Sequence, residues 1–111
     1  MTRKPTTPNA RPRQGDIWWA QAEDKRRPVL IVSRDTSALH LNRVIVAPIT
    51  RTVRDIPTEI PLGTDEGLDV DCAASFDNLG PQPVAMLSNR IGRLRDPRVR
   101  ICAALSALAD C

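Results

Sequence analysis

Arg26-Arg27-Pro28-Val29-Leu30-Ile31-Val32 decides how the fold is read, together with its companion run Val44-Ile45-Val46-Ala47. Neither apolar run alternates with polar residues. A strand with one face in water needs that alternation, so both runs predict strands covered on both faces, at the centre of a sheet. Working outward, Ile17-Trp18-Trp19-Ala20 reads as a strand, and the charged turn Glu23-Asp24-Lys25-Arg26 after it as a hairpin loop. Further strands are expected from Ile56 to Leu62, from Val70 to Phe76 and from Val84 to Leu87. The first of these belongs at an edge, because Pro57 and Pro61 cannot donate to a ladder. Asp96-Pro97 supplies an N-cap followed by a proline at the first helical position, and Ile101, Cys102, Leu105, Leu108 and Ala109 recur at helical spacing. Five or six short strands and one C-terminal helix predict a mainly β fold: a small antiparallel barrel whose open face the helix covers.

The chain has 111 residues, enough for one compact domain and too few for two. That domain is expected over residues 14–111. Residues 1–13, with Pro5, Pro8, Pro12 and little to bury, predict a disordered basic tail. The formal charge of +3 invites a guess of nucleic-acid binding, but its location matters. Arg3, Lys4, Arg11 and Arg13 give the tail +4 with no acid, while the remaining twelve bases face thirteen acids, a balance of −1. The excess charge therefore belongs to the tail. No apolar run approaches the roughly 20 residues of a membrane span, and no apolar signal core is present, which predicts a cytoplasmic protein away from membranes. Cys72, Cys102 and Cys111 form an odd set without metal-type spacing, so they read as reduced thiols with no metal site.

Few residues stand where they could do chemistry. Arg27 is held extended by Pro28 at the entrance to the most apolar strand, and a guanidinium suits bidentate contact with phosphate. The plainer reading is a solvated basic turn with Lys25 and Arg26. Pro48 removes a ladder donor near the end of the other apolar run, which marks a bulge or the end of pairing and turns Thr50 outward, beside Arg51 and Arg54. Thr50 alternatively caps a turn. His40, the single histidine, lies in a polar connection without a recognisable partner. Asp77 and Asn78 precede Leu79-Gly80-Pro81 and serve either to read base edges or to form a turn. Trp18, Trp19 and Phe76 are the only aromatics, a thin supply of base-stacking surfaces. Alternation sends Trp18 and Trp19 to opposite faces, one into the core and the other to a surface or interface.

Taken in order, these segments resemble the MazF/PemK family of toxin endoribonucleases from type II toxin–antitoxin pairs. The resemblance covers about residues 13–108 and rests on Arg13-Gln14-Gly15-Asp16-Ile17-Trp18-Trp19, Arg27-Pro28-Val29-Leu30-Ile31-Val32-Ser33, Val46-Ala47-Pro48-Ile49-Thr50, Ile56-Pro57-Thr58-Glu59-Ile60-Pro61-Leu62, Asp77-Asn78 and Ile91-Gly92-Arg93-Leu94. It implies an SH3-like antiparallel barrel of the CcdB/PemK type, a homodimer, and sequence-specific cutting of single-stranded RNA without a metal or other cofactor. By that resemblance Arg27 and Thr50 are catalytic. A ribose 2′-hydroxyl attacks the adjacent phosphorus, leaving a 2′,3′-cyclic phosphate and a 5′-hydroxyl. Lys25, Arg26, Arg51, Arg54, Ser75, Asp77 and Asn78 are expected to bind RNA, and Glu23 and Asp24 are candidates for the general base. The partners implied are RNA and a cognate antitoxin whose acidic segment lies across Arg26, Arg27, Arg51 and Arg54. The loop from Ala22 to Arg26 is shorter than the glycine-containing loop of many family members.

Two other readings stay open at this level. One is a non-enzymatic toxin of the same fold, like the CcdB family that poisons gyrase; such proteins use a tryptophan near the C-terminus, whereas this chain ends Leu108-Ala109-Asp110-Cys111. The other is a module that binds nucleic acid or peptide without cutting.

Overall fold

The computed structural model describes residues 11–22, 24–35 and 42–109. Glu23, His40, Cys111 and residues 1–10 of the expected tail lie outside them. Seven strands form one curled antiparallel sheet: β1 (Asp16–Ala22), β2 (Lys25–Ile31), β3 (Arg43–Thr50), β4 (Glu59–Leu62), β5 (Cys72–Ser75), β6 (Gly80–Pro83) and β7 (Leu87–Arg93), in the order β4-β5-β3-β2-β1-β7 with β6 also on β3. The C-terminal helix, α1 (Pro97–Leu108), closes the fold.

The two uninterrupted apolar runs occupy the middle of this sheet and are covered on both faces except at Ile45, which is 39% exposed. Leu30, Val32 and Ala47 enter a cluster with Phe76, Leu94 and the helix residues Ile101 and Ala104. Val29, Ile31, Val44 and Val46 enter a second cluster with Trp18 and Ala20. Burying one such aliphatic side chain contributes about 1.5–3 kcal/mol, so a polar residue at any of these positions opposes the sheet itself. The helix shields the first cluster as expected, but through Ile101 and Ala104; Cys102 and Leu108 face solvent. Asp96 stands at the N-cap with left-handed backbone (φ 50°) and makes no side-chain cap bond, so Pro97 rather than a capping carboxylate starts the helix.

Three expectations need correction. Val84 to Leu87 does not form a strand: Val84–Met86 is a 3₁₀ turn, and Val84 and Leu87 fold over the second cluster. The strands on either side of that turn are β6, which ends before it, and β7, which takes only the last expected residue, Leu87. Gly80-Pro81-Gln82-Pro83 pairs only with β3, an edge position that tolerates two residues lacking N–H groups. The expected strand from Ile56 begins only at Glu59 and does take an edge. Finally, Ala22 pairs with Lys25, so Lys25 and Arg26, expected in the hairpin loop, already belong to β2.

A buried carboxylate ties the two sides of the sheet together. Asp16 accepts from the Arg93 guanidinium (2.7 Å), the Trp18 indole N–H (3.3 Å) and the Arg13 backbone N–H (2.9 Å), with Arg90 at 3.8 Å. The preceding Pro12 is buried.

Candidate active site

Three strand ends build the site. β1 and β2 pair so that Trp19 lies opposite Pro28 and Ala20 opposite Arg27. β2 and β3 pair Val29 with Pro48 and Leu30 with Ala47, and continuing that register by two residues sets position 27 opposite position 50. Arg27 and Thr50 thus lie at the same end of the sheet, each two residues beyond the last β2–β3 pair. β3 pairs with β6 through Val46 and with β5 from Ile49 onward. Pro48, without an N–H, sits in the interval where the partner changes. The backbone redirects there, which brings Thr50 to the mouth of a cleft.

That cleft, of about 300 Å³, is walled by Trp19, Pro28, Ile49, Leu68 and Ile91, with Thr50, Arg51 and Asp69 as polar groups. Gly67, in the same lining, has φ 94°, and a Cβ there would stand 2.7 Å from the Ile91 carbonyl oxygen. The wall therefore has room for a glycine only. The Thr50 hydroxyl oxygen accepts the Thr52 backbone N–H at 3.1 Å, leaving its own proton available to a further acceptor. Thr50 consequently does both things expected of it, holding a turn and facing the cleft.

Four cations stand at these strand ends without an ion pair. Lys25, Arg26, Arg27 and Arg51 are exposed and make no ion pair among the described residues. The Arg26 guanidinium lies over the Trp19 ring, 4.9 Å from its centroid, a contact that fixes both side chains. Asp24 is exposed in the turn beside them. Cys72 also lines the cleft, and burial pushes its thiol up, helped by the charges of Asp71 and Glu66 and opposed by Arg51. It stays a thiol at neutral pH and so is a poor nucleophile.

The remaining sequence candidates form a separate group. Glu59 is buried and accepts from the Arg54 backbone N–H (2.8 Å) and guanidinium (3.2 Å). The Thr58 hydroxyl donates to Asp77 (2.9 Å), the Thr58 carbonyl accepts from the Phe76 N–H (2.9 Å), and the Asn78 amide donates to the Ser75 hydroxyl (3.0 Å). Ser75 is itself buried, so its hydroxyl holds Asn78 rather than meeting solvent, while Asp77 and Asn78 are exposed. This network pins the connection from Thr50 to β4. Two participants escape a reading of sequence alone. Trp19 gains its place only through pairing with Pro28, and Glu59 only through burial against Ser75 on β5. The sole advance signal was the strand alternation that separates Trp19 from Trp18.

Residues 13–108 match the family model described as PemK-like, MazF-like toxin of type II toxin–antitoxin system. The chain belongs to that family. It is 42% identical over 106 residues to a protein named probable endoribonuclease MazF5 of Mycobacterium tuberculosis, covering 92% of this chain and 96% of the relative. It is also 46% identical over 71 residues to endoribonuclease MazF3 of the same organism, covering 64% and 69%. Among solved structures, the M. tuberculosis toxin MazF-mt6 superposes with a TM-score of 0.74 at 40% identity, over 83% of this chain and 93% of that one. An endoribonuclease from a mycobacterial species, solved in complex with its cognate antitoxin, gives 0.75 at 25% identity, over 86% and 92%. The family's curled antiparallel sheet with one C-terminal helix is the architecture found here. No helix among the described residues is long and apolar enough to cross a membrane.

Proposed function

We propose that this protein is the toxin of a type II toxin–antitoxin pair and acts in the cytoplasm as a sequence-specific, metal-independent endoribonuclease on single-stranded RNA. Family membership supports the activity; what supports the site is that Arg27 and Thr50 each lie two residues beyond the last β2–β3 pair, near cations with no acid partner among the described residues. The nucleophile is the ribose 2′-hydroxyl, which leaves a 2′,3′-cyclic phosphate and a 5′-hydroxyl. Negative charge grows on the non-bridging oxygens as the bond to phosphorus forms. A guanidinium keeps its proton below about pH 12, so Arg27 acts by stabilising that charge rather than by moving a proton. The Thr50 hydroxyl, its oxygen held by the Thr52 N–H, donates to the same oxygens. Asp24, exposed in the turn before Lys25, and Glu23, outside the described residues, are the candidates for the base that takes the 2′ proton.

Two copies are proposed to assemble as a dimer, and an antitoxin inhibits by laying an acidic segment over Arg26, Arg27 and Arg51. The cognate complex known for a structural neighbour supports that partner class. The experiment is incubation of the pure protein with long single-stranded RNA in EDTA, followed by end mapping. Discrete cuts ending in cyclic phosphate, absent in Arg27→Ala and Thr50→Ala, are expected. Intact RNA, or cutting equally strong in those variants, overturns the reading.

A further inference from the structure

We propose that the cleft beside Thr50 is a subsite for one unstacked nucleobase of the RNA strand, with Trp19 as its stacking surface and Asp69 as the acceptor that selects its edge. This rests on the endoribonuclease reading and names what that site recognises. The cleft's volume of about 300 Å³ lies at the lower limit of small-molecule sites, which suits a single base rather than a stretch of strand. Its composition points the same way. Its lining joins the Trp19 ring and Pro28 with the aliphatic Ile49, Leu68 and Ile91, and the polar side chains are few: Thr50, Arg51 and Asp69. A base offers two apolar faces and a polar rim, and single-stranded RNA is recognised by splaying bases out onto aromatic side chains.

Charge orients the ligand. The unpaired Arg51 stands next to Thr50 in the lining and Arg27 lies at the same end of the sheet, so the phosphate belongs on their side and the attached base against Trp19. The Arg26 guanidinium over Trp19 holds the ring in place before RNA arrives, which lowers the ordering cost of stacking. Asp69 contributes only acceptor oxygens. It therefore matches a base edge bearing an exocyclic amino group, as in guanine, adenine or cytosine, and opposes uracil, whose single ring N–H lies between two carbonyls. The chain's three aromatics thus include one placed where a base can use it.

The test is cut-site mapping on a random-sequence RNA pool with wild type, Trp19→Ala, Trp19→Phe and Asp69→Asn, together with KM and kcat on one preferred oligonucleotide. Trp19→Ala should raise KM about tenfold and relax base preference at one position next to the cut. Trp19→Phe should restore part of both. Asp69→Asn should erase the discrimination against uracil at that same position. Melting temperatures show which variants fold, and if Trp19→Ala does not, Trp19→Phe and Asp69→Asn carry the test. Unchanged preference at every position in the folded variants overturns the subsite. A loss of cutting confined to Arg27→Ala and Thr50→Ala would in that case leave the endoribonuclease reading standing, whereas cutting indifferent to Arg27 and Thr50 overturns that reading instead.

Discussion

Two sets of arginines on this small domain differ in what faces them. Arg54 meets the buried carboxylate of Glu59, and Arg90 and Arg93 meet that of Asp16, with nitrogen–oxygen distances from 2.7 to 3.8 Å. Arg26, Arg27 and Arg51, with Lys25, have no acid partner among the described residues; Arg51 lines the cleft at Thr50 and the other three stand at the start of β2. The first set anchors the sheet and the connection leading to β4. The second set leaves its charge available to a phosphate. Net charge conceals this division, because the residues after the tail balance to −1 and would suggest indifference to RNA. A nearly neutral domain can still present a cationic site when its acids are consumed elsewhere.

The largest effect that could break the contrast is on rate. Arg27→Ala and Thr50→Ala should each lower kcat by about 10²–10³, the loss typical of one donor to a developing oxyanion, with melting temperature unchanged. Equal activity in either would place the chemistry elsewhere. Next comes stability. Asp16→Ala strands the buried Trp18 N–H and the Arg13 N–H. It should cost about 3 kcal/mol in a denaturant titration, the low end for a broken buried pair because both guanidinium groups reach solvent. A change below the error of the titration would remove Asp16 from the scaffold.

A smaller loss, about 1–2 kcal/mol, is expected for Glu59→Gln, which keeps an acceptor for the Arg54 backbone but gives up the charge. Its distinguishing mark is an unaltered affinity for uncleavable RNA once the fold is intact. The smallest effect is in salt dependence. Each phosphate contact on single strands contributes a slope of about −0.7 in log affinity against log salt, so Arg51→Ala should flatten the wild-type slope by about that amount. Arg54→Ala should leave it as it was, and a matching change in both would erase the difference between the two sets.

The centre of the fold was legible because Val29 to Val32 and Val44 to Ala47 have no polar member, which only a doubly covered strand tolerates. The edges were not. β6 consists of Gly80, Pro81, Gln82 and Pro83, residues that disfavour strands locally and form one here because β3 offers an unpaired edge. Val84 to Leu87 carries apolar residues for the opposite reason, as a turn folded over the second cluster. The site divides in the same way. Arg27 before Pro28 and Thr50 after Pro48 are marked locally by their prolines, whereas Trp19 and Glu59 act through partners on other strands. Ser75 resembled a base reader only until β5 was seen to bury it.

The central claim is that the unpaired cations serve an attack by the substrate's own 2′-hydroxyl. One RNA oligonucleotide, cut at a mapped bond, is remade with deoxyribose at the single sugar on the 5′ side of that bond. The account predicts that cleavage there disappears while binding persists within about twofold, since the phosphates that dominate affinity are untouched. Continued cutting at that bond would contradict it.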